Sequence, residues 1–143
     1  MKKNIAVVMG GFSSEYRISI NSGNVVYKNL NRKLYNPYRM HILQTEWFVI
    51  ADDDTPYPVN KNDFTVNIND EIIAFDCVFN TIHGTPGENG LLQAYFELLK
   101  IPQTSCGFYQ AALTFNKRDL ISVLQPYKIK SATNYFLNRG DDI

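Results

Sequence analysis

The sequence predicts an α/β domain with an open, mostly parallel sheet covered by helices on both faces, a three-layer arrangement. Three observations carry this. From Asn4 the chain runs apolar to Met9 with no polar face, as a strand buried on both sides does. Asp76 to Ile82 is a second run of strand length, rich in β-branched and aromatic residues. Each run leads into a glycine-bearing turn and then a stretch with helical spacing, the β-then-α order that favours parallel strands.

The whole-chain numbers fit one domain. At 143 residues, with 45% hydrophobic and 20% charged residues, the chain can bury a core. Fourteen basic side chains balance fourteen acidic ones, so no general field draws a nucleic acid or a membrane surface. The apolar start is cut short by Gly10 and Gly11, which reads as a buried strand rather than a secretory leader. No run approaches the ~20 apolar residues of a membrane helix. Cys77 and Cys106 form neither a disulfide framework nor a metal spacing, and the expected compartment is the cytoplasm.

Taken in order, the first strand turns at Gly10-Gly11, and Ser13 or Ser14 is expected to cap a helix whose first turn holds Glu15. Ile18, Val25, Val26 and Leu30 mark an apolar face, while Ser22-Gly23-Asn24 weakens the helix but allows close approach to a sheet. Tyr38 to Leu43 and Trp47 to Ile50 read as strands. Asp52 to Pro58 reads as a solvated turn, because its three aspartates lack the interleaving of a calcium loop. Phe64, Val66 and Ile68 alternate as in an edge strand. Leu91 to Leu99 has helical spacing with Lys100 in its last turn, and Pro102 ends it. Tyr109 to Phe115 is expected to be helical, and Asn116 to Asp119 either continues that helix or separates it from Leu120 to Leu124. Ser131 to Leu137 is extended, and Asn138 to Asp142 turns. No internal repeat is present.

Chemistry concentrates at two turns. His83 stands where the second apolar strand ends, followed by Gly84, Pro86, Gly87, Glu88 and Gly90, and open α/β sheets place ligands at such carboxyl ends. By local pattern alone, His83 and Glu88 fit a capped, solvated loop equally well. The Gly10-Gly11 turn lacks the third glycine of a dinucleotide fingerprint, which argues against a nicotinamide cofactor. Glu15 there suits a substrate ammonium group, or simply the helix dipole.

Two passages carry a family resemblance. The first is Gly10-Gly11-Phe12-Ser13-Ser14-Glu15-Tyr16-Arg17-Ile18-Ser19. The second is His83-Gly84-Thr85-Pro86-Gly87-Glu88-Asn89-Gly90-Leu91-Leu92-Gln93, followed by Ile101-Pro102, Thr104, Gly107, Ala112-Leu113 and Lys117. In this order and separation the sequence resembles the amino-terminal part of D-alanine–D-alanine ligases, members of the ATP-grasp superfamily. The resemblance implies a Rossmann-like pre-ATP-grasp domain over residues 1–125, with 126–143 a linker and the start of a central ATP-grasp domain. It implies Glu15 and Ser19 at the first D-alanine, His83 beside the reacting carboxyl group as a catalytic residue with Glu15, and Lys117 at the ATP phosphates. Mg2+ would be held by residues outside this chain, and the full-length protein would be a homodimer serving peptidoglycan precursor synthesis. A related ligase using D-lactate or D-serine as second substrate, and a non-catalytic binding module, are the alternatives. Tyr16, Gln103, Ser105 and Asn116 depart from the usual family residues. Because such ligases continue well beyond this length, the chain alone is expected to be inactive.

Overall fold

The apolar run at the start has no polar face, and the fold covers both of its sides. In β1 (Lys3–Gly10), Ala6 and Val8 face one core while Ile5, Val7 and Met9 face another. The computed structural model describes residues 1–141. The second core is closed by Ile20 and Val26 of α1 (Tyr16–Asn29), the first by Leu92 and Phe96 of α2 (Leu91–Leu98). Helices on both faces of β1 are the three layers the sequence predicts.

β1 pairs in parallel with β2 (Tyr35–Ile42) on one side and β7 (Cys77–Asn80) on the other. The sheet then continues from β2 through β3 (Trp47–Ile50), β4 (Pro56–Asn60), β5 (Thr65–Ile68) and β6 (Glu71–Ile73), each antiparallel to the last. The parallel character is thus confined to β2–β1–β7. The cause is connection length: only Leu43–Glu46 join β2 to β3 and only Asn69-Asp70 join β5 to β6, whereas a parallel crossover needs about a dozen residues. Asn69 and Asp70 both have positive φ, 51° and 66°, as a two-residue hairpin turn requires.

Other expectations need correction. Pro56 and Pro58 lie in a strand rather than a turn, and both stand where β4 has a neighbour on one side only, since β5 pairs just with Val59 and Asn60. Glu15 occupies the N-cap position of α1, and Ser13 instead uses its Oγ to accept the Glu15 amide at 3.2 Å. Ile18 and Val25 are exposed, because the buried positions of α1 are Ser19 and Gly23. A Cβ on Gly23 would lie 2.7 Å from Met9, so a glycine lets the helix approach the sheet there, while Val26 and Leu30 of the expected apolar face pack beside it. Lys100 falls just beyond α2 with φ 57°. Asn116 separates α3 (Phe108–Phe115) from α4 (Lys117–Leu124) and caps the latter, its Oδ1 accepting the Asp119 amide at 3.3 Å. Residues 131–138 are neither helix nor strand, and the end of the expected turn at Asp142 lies outside the described residues.

Beneath the antiparallel strands, Phe64 is 1% exposed and meets Trp47, Phe75, Tyr95 and Phe96, with ring centroids 5.0–6.3 Å apart. Burial, and then the charge of Asp63, pushes the Tyr95 phenol up to about 12; its hydroxyl donates to the Lys61 carbonyl.

On β2, His41 lies against Phe48, and burial followed by the charge of Arg39 lowers its pKa below 6.5. A depressed base favours the neutral form in the folded chain. His41 therefore contributes stability that is present above the unfolded value and lost as pH falls through the folded one. We expect the melting temperature of the wild type to drop more between pH 7.5 and 5 than that of His41→Gln; parallel pH profiles would contradict this.

Candidate active site at the carboxyl ends of β1 and β7

β1 ends in two glycines, Gly10 at φ 100° and Gly11 at φ 81°. Gly11 admits no side chain: a Cβ would fall 2.7 Å from Ile82 and 2.9 Å from the Thr85 carbonyl. This close approach joins the first turn to the one after β7, where the Phe12 amide donates to the Thr85 carbonyl at 3.1 Å. Serines complete the junction. Ser13 donates to the His83 carbonyl at 2.8 Å, and Ser19 accepts the His83 amide at 2.9 Å while donating to the Glu15 carbonyl at 3.2 Å. Both backbone polar groups of His83 are therefore held by serines 70 and 64 residues earlier in the chain.

The His83 imidazole, 40% exposed, reaches out between two partners: Nε2 lies 3.4 Å from Ser22 Oγ and Nδ1 3.9 Å from Glu88 Oε1. Glu88 closes its own turn, with Oε2 accepting the Gly84 amide at 3.0 Å and its amide donating to the Gly84 carbonyl at 2.9 Å. Glu15 is exposed at the same rim. A Cβ built on Gly84 would come 3.4 Å from Glu15 Oε2, which places that carboxylate over the residue following His83.

A cleft of about 600 Å³ opens from this rim, lined by Ser22, His83, Glu88, Gln93 and Cys106 and closed by Lys117 at the start of α4. Lys117 Nζ donates to the Thr114 carbonyl. Of the sequence-expected site residues, His83 and Lys117 line this cleft, and Glu15 stands at its His83 edge. Ser19 is fully buried beneath it and bridges Glu15 to His83. Both cysteines are free. Among the described residues no three His, Cys, Asp or Glu side chains gather to hold a metal ion.

Ser22 and Gln93 were not expected as site residues, although Gln93 stands in the second family passage. Ser22 had a signal: residues 15, 19 and 22 share one helix face once the helix begins at Tyr16. Gln93 is a polar residue between the buried Leu92 and Phe96, easily passed over as part of an apolar helix.

This is an α/β domain whose candidate site lies where two parallel strands end, with a carboxylate and an imidazole at one rim and an ammonium group across the cleft. Its sequence from residue 4 to 106 matches the profile described as D-ala D-ala ligase N-terminus. A D-alanine–D-alanine ligase of Christiangramia forsetii is 76% identical over all 143 residues, and the chain spans 44% of that relative's length. D-alanyl-alanine synthetase A of Vibrio cholerae superposes with a TM-score of 0.78 at 30% identity, over 90% of this chain and 38% of that one. The D-alanine–D-alanine ligase of Bacillus anthracis solved with ATP gives 0.69 at 25% identity, over 99% of this chain and 42% of that one. The chain belongs to the D-alanine–D-alanine ligase family and corresponds to its amino-terminal domain.

Proposed function

We propose that this chain forms the substrate-side wall of an ATP-dependent ligase that joins two D-alanine molecules. The observation that carries the reading is the meeting of the two turns, which brings the Glu15 carboxylate to the residue beside His83. In the reaction, one oxygen of the first D-alanine carboxylate takes the terminal phosphoryl group of ATP and ADP leaves. The amine of the second D-alanine then attacks the acyl carbon, phosphate departs, and the amine gives up a proton. Glu15 holds the ammonium group of the first D-alanine, and His83 donates to the oxygen that gains charge. Glu88 and Ser22 aim that imidazole, and Ser19 holds its backbone. Lys117 provides a positive point charge for phosphate.

Residues 1–125 act as the substrate-binding domain and 126–143 as a linker and the start of a central ATP-grasp domain, residues 142 and 143 lying outside the described part. The ligands for Mg2+ are assigned to the remainder of a longer chain, and no metal-dependent step is assigned to the residues described here. In this reading the assembled enzyme is a cytoplasmic homodimer that contributes to peptidoglycan precursors. No helix is long and apolar enough to cross a membrane among the described residues.

The test is a pair of variants in the longer ligase chain. Glu15→Gln keeps shape but removes the charge, and a charge-assisted contact of about 1.5–3 kcal/mol corresponds to roughly a 10- to 150-fold rise in the first D-alanine constant. Lys117→Ala should raise the ATP requirement instead, leaving the D-alanine constants near wild type. An unchanged first-substrate constant in Glu15→Gln would remove the ammonium role.

A further inference from the structure

Gln93 is 1% exposed on the inner side of α2, yet half of its amide has no partner: Oε1 is buried without a hydrogen bond among the described residues. Its Nε2 donates to the Gly87 carbonyl. That same carbonyl also accepts Asn80 Nδ2 at 2.8 Å, and Asn80 Nδ2 is shared with Ser105 Oγ at 2.9 Å. A buried acceptor left unpaired costs about 1–3 kcal/mol, which an apolar residue of similar volume would avoid. What the amide offers at this position is its donor, and the donor holds Gly87.

Gly87 packs directly on Ile82, just beyond β7, where a side chain on Gly87 would run into the Ile82 carbonyl and its Cβ. The Gly87 carbonyl is gripped from α2 by Gln93 and from the end of β7 by Asn80, one residue before Glu88. Glu88 in turn reaches the Gly84 amide and stands beside the His83 ring. We infer that Gln93 is a positioning residue: by holding the Gly87 carbonyl it fixes the turn that keeps the Glu88 carboxylate on the Gly84 amide and against the His83 imidazole. The placement stands on geometry, whereas its consequence for turnover rests on the ligase reading.

The Gly84 amide proton reports on Glu88, to which it donates at 3.0 Å; because the Glu15 carboxylate also lies beside Gly84, every sample carries Glu15→Gln, and the shift read is the one in the carboxylate range rather than that of the neighbouring His83 ring. The Asn4 amide is the matched control, donating to Asp76 Oδ2 at 2.8 Å at the opposite end of β1. In the 15N-labelled 143-residue chain, titrated from about pH 7 down through the carboxylate range, both amides should respond when Gln93 is present. In Gln93→Met the Gly84 response should be lost and the Asn4 response retained. A Gly84 response of undiminished size in Gln93→Met would overturn the inference, since a side chain that only fills space is replaced by Met without consequence for Glu88. Should Gln93→Met fail to fold, which both responses would reveal together, Gln93→Asn withdraws the amide by one methylene and must give the same selective loss; retention there equally overturns it. In the longer ligase, Gln93→Met should lower kcat and leave the ATP KM unchanged. Loss of the Gly84 response with wild-type turnover would tell against the ligase reading and uphold the placement.

Discussion

Gly84→Ala should destabilise the chain by about 2–5 kcal/mol and separate Glu15 from His83. Two costs combine. Gly84 has φ 72°, where a side chain costs roughly 1–2 kcal/mol, and its Cβ would lie 2.8 Å from both Cβ and Oγ of Ser13, an overlap worth about 1–3 kcal/mol. Ser13 cannot yield freely, because its hydroxyl donates to the His83 carbonyl and accepts the Glu15 amide. The strain therefore falls on the junction that assembles the site. Gly140→Ala is the control for backbone conformation alone, with φ 98° and nothing within 4 Å of the added methyl. Urea denaturation of the two variants decides the matter. A Gly84→Ala midpoint matching that of Gly140→Ala would mean that the two turns are not locked together.

In the longer ligase, His83→Ala should reduce kcat by about 10²- to 10³-fold, the usual loss when one donor to a developing oxyanion is removed. The ATP KM should stay near wild type, since His83 stands on the Glu15 side of the cleft while Lys117 closes it from α4. Ser22→Ala should have a smaller effect of the same kind, because Ser22 reaches His83 Nε2 only at 3.4 Å and Glu88 still faces Nδ1. Steady-state kinetics with kcat within about twofold of wild type in His83→Ala would leave the histidine a structural element of its turn.

Much of this arrangement is legible because it is local. An apolar run such as Ile5–Met9 announces a strand with two covered faces, and the spacing of Leu92 and Phe96 announces a helix with one buried side. Glycines at 10, 11, 84 and 90 mark turns for a reason that lies in the residue itself, since all four adopt positive φ. The motifs around Glu15 and His83 were readable too, as residue types following strand ends. Short connections already excluded a parallel course for β3–β6, although the expectation of a mostly parallel sheet passed over them.

What lay beyond the sequence depends on which distant segments meet. Ile18 and Val25 are apolar and helically spaced, yet they face outward, because α1 turns Ser19, Ile20, Gly23 and Val26 to the sheet, with no room for a side chain at Gly23 over Met9. The prolines of β4 signalled a turn, and only the staggered pairing of β3 and β5 leaves them an open edge. Ser19 shows the division most plainly: the family resemblance implied a place at the first D-alanine, and the fold shows its hydroxyl buried between the Glu15 carbonyl and the amide of His83, 64 residues away. Strand, turn and helix preferences act over a few neighbouring residues and so were determined by the sequence alone. The partners of a buried hydroxyl or amide, Ser19 and Gln93 among them, are set by the requirement that polar groups removed from water find one another, and only the tertiary structure decided which ones did.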